Sequence, residues 1–90
     1  MKNIIESNYK SIVDRGLISP KTTKRDFILK LEEEVQEFID AALNSNGSES
    51  EELADVILVC LNISKHYGIN IESEINNKIR KNFNRSVRSI

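Results

Sequence analysis

Residues 31–42 read LEEEVQEFIDAA, and residues 51–63 read EELADVILVCLNI. Each stretch carries two carboxylates three positions apart, Glu34 with Glu37 and Glu52 with Asp55. Residues three apart share one side of a helix but fall on opposite faces of a strand. Apolar residues recur between the acids at the same helical spacing. Two such helices packed side by side turn four carboxylates toward one another. The spacing therefore predicts an all-α chain, and its second and third helices, packed together, offer a site for a hard divalent cation.

Working outward, the second helix extends over 23–44. Thr23 followed by Asp26 is a capping-box pair, with Asp in place of the usual Glu or Gln. Phe27, Ile28, Leu31, Val35, Phe38, Ile39 and Ala42 mark an apolar stripe. Lys30, Glu34 and Glu37 run along its edge. The helix fades in Asn44-Ser45-Asn46-Gly47, a turn composition. The third helix covers 49–67. Ser48 with Glu51 makes another capping pattern, and Glu49, Glu51 and Glu52 suit the positive end of the helix dipole. The run Val56 to Leu61 is apolar throughout and has the length of a buried strand as well. The charged first turn and the stop at Gly68 favour one helix of about five turns. A helix apolar nearly all round must be buried nearly all round, and 90 residues have little with which to cover it. Part of this helix is expected in a subunit interface.

The first helix is expected over 4–15, where Ile4, Ile5, Tyr9, Ile12 and Val13 form one face and Gly16 is the natural stop. Leu17 and Ile18 fold back toward that face before Ser19-Pro20 breaks the chain. The fourth helix, over 71–87, is capped by Asn70. It carries Ile71, Ile75, Ile79, Phe83 and Val87 at steps of four, with Lys78, Asn82 and Arg85 on a neighbouring face. Ser89 and Ile90 are expected to fray.

The whole, residues 1–90, reads as a single domain. One cysteine rules out an internal disulfide and suits a reducing, cytoplasmic setting. No stretch approaches the ~18 apolar residues of a membrane span, and MKNIIESNYK is too polar for a signal peptide. A net charge of −1 disfavours a nucleic-acid partner, although KIRKNFNRSVR, residues 78–88, contains no acid.

Each candidate has a plainer reading. Glu32-Glu33-Glu34 is usually a solvated helix face, and Glu51 and Glu52 serve a helix dipole without any metal. Asp55 is harder to dismiss, because it opens the apolar run and a half-buried carboxylate needs a partner. That partner is either a Lys or Arg in a structural salt bridge or a metal. Spacing leaves Glu33–Glu37 as good a pair as Glu34–Glu37. With no His or Cys set to favour Zn²⁺, oxygen ligands point to Mg²⁺ or Mn²⁺. Lys78, Asn82 and Arg85 suit phosphate oxygens, or simply complement the C-terminal dipole. Cys60 reads as a small core residue and His66 as a donor to helix-end carbonyls. Tyr9 and Tyr67 have no assigned role.

The ordered combination KLEEEVQEF, EELADVILVCLN, a Gly, then INNKIRKNFNR resembles the MazG-like nucleoside triphosphate pyrophosphohydrolases of the all-α NTP pyrophosphatase superfamily. The family pattern is EExxE, a gap, ExxD, then a Lys and a basic, Asn-containing helix end; the likeness runs from Asp26 to Arg85. The resemblance implies a family fold of four or five helices, here an all-α four-helix bundle, completed by forming a homodimer or homotetramer. It implies Mg²⁺-dependent hydrolysis of a nucleoside triphosphate to the monophosphate and pyrophosphate. Glu34, Glu37, Glu52 and Asp55 would be the metal ligands, and Glu33 or Glu34 the catalytic group that orients water. Lys78, Asn82, Arg85 and Lys30 would bind substrate. Phosphoribosyl-ATP pyrophosphatase, of similar size and related acidic pattern, is the nearest alternative. A helical dimerisation module with solvated acids is the non-enzymatic one.

Overall fold

The computed structural model describes residues 1–88, and of residues 86–88 the backbone alone. The side chain of Val87 and the fraying expected of Ser89 and Ile90 lie outside what is described. Four helices follow in order: α1 (Lys2–Asp14), α2 (Lys24–Asn44), α3 (Glu49–His66) and α4 (Ile71–Arg88). Among the described residues there is no strand, and no helix is long and apolar enough to cross a membrane.

Local chemistry fixes most helix ends. At the start of α2 the Thr23 hydroxyl accepts from the Asp26 N–H at 3.2 Å, and the Asp26 carboxylate accepts from the Thr23 N–H at 2.9 Å. The expected capping box is therefore formed, and these bonds hold the Asp26 carboxyl below its ordinary pKa. α1 stops where Gly16 takes φ +73°, which lets the Leu17 N–H reach back to the Ile12 carbonyl at 2.9 Å. α3 stops in the same way, with Gly68 at φ +68° and the Ile69 N–H on the Ser64 carbonyl at 2.8 Å. Both are the left-handed ending that glycine tolerates best. Asn70 Oδ1 accepts from the Ser73 N–H at 3.1 Å and opens α4. Ser48 does not cap α3 as expected. Its hydroxyl donates instead to Asn46 Oδ1 at 2.6 Å, inside the preceding turn, so local turn bonding wins over the cap.

α3 is the central element, with α2 and α1 both packed on it. The buried apolar residues are Ile12, Phe27, Ala41, Val59 and Leu61. α2 meets α3 through Phe27, Leu31, Glu34, Phe38 and Ala41, a run at steps of four and three that is buried or half-buried throughout. This corrects the expected stripe: Ile28, Val35, Ile39 and Ala42 are exposed, and Glu34 lies at the centre of the packing face rather than along its edge. α4 has no comparable packing on the other three helices. Ile75, Ile79 and Phe83 are 41%, 60% and 68% exposed. The chain is accordingly drawn out, with a radius of gyration of 15.7 Å against about 12 Å for a compact domain of this length. The outer face of α3, Leu53, Ile57 and Cys60, is also exposed. Cys60 is therefore not a core residue, because this chain's own helices cover only the opposite side of α3.

Candidate metal centre

Because Glu34 holds a central place on the buried face of α2, its carboxylate lies in the seam with α3. Glu52 and Asp55, in the first two turns of α3, reach it from the other side. Glu34, Glu52 and Asp55 each bring a carboxylate oxygen within 4.8 Å of the others, and Glu33, Glu34 and Glu37 do the same. Glu34 is common to both groups. It is 7% exposed, whereas Glu33 and Glu37 are exposed to solvent. Burial thus separates Glu34 from Glu33, which spacing left equivalent.

The charges in this seam are not balanced. Lys30 Nζ lies 3.0 Å from Glu34 Oε1 and 3.8 Å from Glu33 Oε2. That contact with Glu34 raises the Lys30 pKa. The other oxygen of Glu34, Oε2, is buried with no hydrogen-bond partner, and so is Glu52 Oε2. Asp55 has no ion pair among the described residues, so the structural salt bridge weighed for it is not formed. Glu37 has its pKa raised, mainly by the charge of Glu34 and further by Glu52 and Glu33. Buried carboxylate oxygens without donors are costly, and carboxylates crowded together repel. The donor set is all oxygen, from short acidic side chains, and fits a hard divalent cation such as Mg²⁺ or Mn²⁺.

The acids form one end of a cavity of about 500 Å³. Lys30, Glu34 and Asp55 line that end. Asp26, Phe27, Leu58, Val59 and Asn62 line the rest from α2 and α3, Asn8 and Ile12 close it from α1, and Arg15 with the 17–22 connection completes it. The structure brings Lys30, Glu33, Glu34, Glu37, Glu52 and Asp55 together. It does not bring Lys78, Asn82 or Arg85 to them within one chain: all three stand exposed on α4, and none lines the cavity.

Sequence reasoning passed over Asn8 and Asn62. Asn8 Nδ2 donates to Asn62 Oδ1 at 2.6 Å and to the Leu58 carbonyl at 3.4 Å. The available signal was a single Asn directly after the apolar run of α3, seven residues after Asp55 and so on the same face. His66 also departs from expectation. Its Nδ1 is bonded to the Tyr9 hydroxyl at 2.9 Å rather than serving helix-end carbonyls, and it stacks near Phe27 and Tyr67. Tyr9 thereby ties α1 to the end of α3, which gives it a role.

A family model described as the MazG nucleotide pyrophosphohydrolase domain matches residues 22–88, from just before α2 to the end of α4. No curated protein and no solved structure matches the chain.

Proposed function

The chain belongs to the MazG nucleotide pyrophosphohydrolase domain family, and from that premise we propose that it is a Mg²⁺-dependent nucleoside triphosphate pyrophosphohydrolase, releasing pyrophosphate and the monophosphate. The observation that carries the reading is the pair of buried, partnerless carboxylate oxygens, Glu34 Oε2 and Glu52 Oε2. In a dimerisation module with merely solvated acids, those atoms would face water.

Glu34, Glu37, Glu52 and Asp55 would hold the cation, with Mn²⁺ as an alternative occupant. When bound, it supplies neutralisation of phosphate charge and a water of lowered pKa. Glu33 is exposed beside the cluster, and its carboxylate accepts the proton of the attacking water. Lys30 holds Glu34 from the cavity side and is placed to meet a phosphate oxygen. Phosphoryl transfer needs mainly such positioning and charge compensation.

Lys78, Asn82 and Arg85 bind phosphates in this reading, and a second copy of the chain delivers them. α4 leaves its own chain's packing with its apolar side, Ile75, Ile79 and Phe83, uncovered, as is the Leu53–Ile57–Cys60 face of α3. A homodimer or homotetramer covers both. The test is pyrophosphate release from a panel of ribo- and deoxynucleoside triphosphates, with and without Mg²⁺, for wild type and Glu37→Ala. Glu37 is exposed, so its loss spares the fold. Metal-dependent release that Glu37→Ala abolishes is expected. No release from any triphosphate sinks the proposal.

A further inference from the structure

We propose that Asn62, held in place by Asn8, reads the nucleobase of the substrate; this rests on the nucleotide reading of the site above. The cavity has two chemically different ends. Along α3, Asn62 lies seven residues beyond Asp55, about 10 Å along the axis. Along α2, Phe27 lies seven residues before Glu34. Phe27 packs against His66 and Tyr67, with ring centroids 4.9 and 5.8 Å away, so the start of α2 meets the end of α3. Both displacements therefore run toward the same end. That end has Phe27, Ile12, Leu58 and Val59 as apolar walls around the two amides, with Thr22 and Asp26 at the start of α2 on its rim. A cation and phosphates suit the acidic end, and a flat ring with a hydrogen-bonding edge suits the other, with room for a sugar between.

The amide pair is oriented. A backbone carbonyl only accepts, so the contact with the Leu58 carbonyl identifies the Asn8 nitrogen end, and that nitrogen also donates to Asn62 Oδ1. Asn62 Nδ2 and Asn8 Oδ1 are left without a hydrogen-bond partner among the described residues. Asn62 is only 8% exposed and lines the cavity. An amide this buried, with its acceptor used and its donor spare, is built to give a hydrogen bond to something that enters. Asn62 Nδ2 supplies a donor and Asn8 Oδ1 an acceptor, the pairing needed by a base edge that offers an acceptor beside a donor. Asn62→Asp replaces that donor with an acceptor while still accepting from Asn8. With acceptors at both positions, it turns preference toward edges that present donors side by side, such as the N1–H and amino group of guanine.

The test has two parts. In the wild-type protein with Mg²⁺, the assigned side-chain amide resonances of Asn62 are followed while AMP, GMP, CMP or UMP is added. At least one monophosphate is expected to shift them. Then kcat/KM is compared for wild type and Asn62→Asp on the four nucleoside triphosphates and on ribose 5-triphosphate, which has no base. The preferred base is expected to lose at least ~10-fold, the reach of one hydrogen bond to a matched edge. The order of bases should change, and ribose 5-triphosphate should lose less than the preferred base does. A purely structural Asn62 lowers all substrates alike, and that result overturns the proposal. So does an Asn62 amide that no monophosphate moves, a test that needs no variant to fold. A shifted amide without any pyrophosphate release keeps the base pocket and removes the hydrolase reading; release with the amide unmoved does the reverse.

Discussion

Glu34→Gln is expected to make the metal-free protein more stable while removing its response to Mg²⁺. Glu34 lies within 4.8 Å of carboxylate oxygens of both Glu52 and Asp55. At that distance each like-charge pair costs about 0.9 kcal/mol at the dielectric of water and about 3.5 kcal/mol at the effective value near a protein surface. Even the lower figure gives roughly 2 kcal/mol for two pairs. The opposing loss is the Lys30–Glu34 contact at 3.0 Å, whose lysine is 53% exposed. Exposed pairs of that kind contribute about 0.2–1 kcal/mol. Repulsion therefore wins by about 1 kcal/mol or more, and the new amide adds a donor for the partnerless Glu52 oxygen. For a domain of this size 1 kcal/mol corresponds to about 4–8 °C in Tm.

The assay is thermal unfolding by circular dichroism at neutral pH and fixed protein concentration, in EDTA and then in excess Mg²⁺. The wild type in EDTA melts lowest, and Mg²⁺ at ~100 times its Kd adds about 2.7 kcal/mol. Glu34→Gln starts higher and gains little. A lower metal-free Tm for Glu34→Gln would refute the reasoning, because the Lys30 pair would then outweigh the crowding of acids. An undiminished Mg²⁺ shift would refute the placement of the cation.

Three further outcomes follow from the same geometry. The Glu37 pKa is raised by Glu34, Glu52 and Glu33, so its contribution favours the folded state below the ordinary glutamate value of about 4.3 and is lost as pH rises through the raised one; a Tm series in EDTA from acid to neutral pH should fall more for wild type than for Glu37→Gln. Thr23→Ala removes the hydroxyl half of the capping box and should cost about 0.5–2 kcal/mol, read as a lower urea midpoint at unchanged slope. If α4 serves a second copy, mixing inactive Glu52→Gln with inactive Arg85→Ala should restore roughly a quarter of wild-type activity, since half the dimers are mixed and each holds one intact site; no recovery after subunit exchange would place both residues in one chain's site.

What was legible in the sequence follows the range of the interactions involved. Helix ends set by neighbouring residues, Thr23 with Asp26, Gly16, Gly68 and Asn70, were readable because their partners lie within a few positions. Ser48 was misread for the same local reason, since Asn46 competed for its hydroxyl. The acidic site was readable as two pairs, yet its centre was not, because burial of Glu34 depends on which face of α2 meets α3. The Asn8–Asn62 and Tyr9–His66 bonds join residues 54 and 57 positions apart. No spacing rule reaches that far, and a lone Asn at the end of an apolar run looks like noise until its partner is seen. Cys60 was misjudged because an apolar run does not say which of its sides is covered.

The position of Glu34 carries an argument about the whole molecule. Its neighbours along the face, Phe27, Leu31, Phe38 and Ala41, are apolar, and a leucine at the centre would pack against α3 without the cost of a buried charge. Lys30 reaches one of its oxygens and leaves the other orphaned. A seam built this way is incomplete as a fold and would be completed by a cation. α4 shows the same kind of deficit on a larger scale: Ile75, Ile79 and Phe83 lie open, and beside them stand the basic and amide groups that the acids lack within their own chain. If a second copy covers the apolar side of α4, Lys78, Asn82 and Arg85 are carried to the new interface with it. The two deficits then have one resolution, in which the partner and the metal-bound nucleotide stabilise the same state. Mg²⁺ and a nucleotide should accordingly shift the monomer–oligomer equilibrium toward the assembly, and sedimentation showing no such linkage would separate α4 from the site.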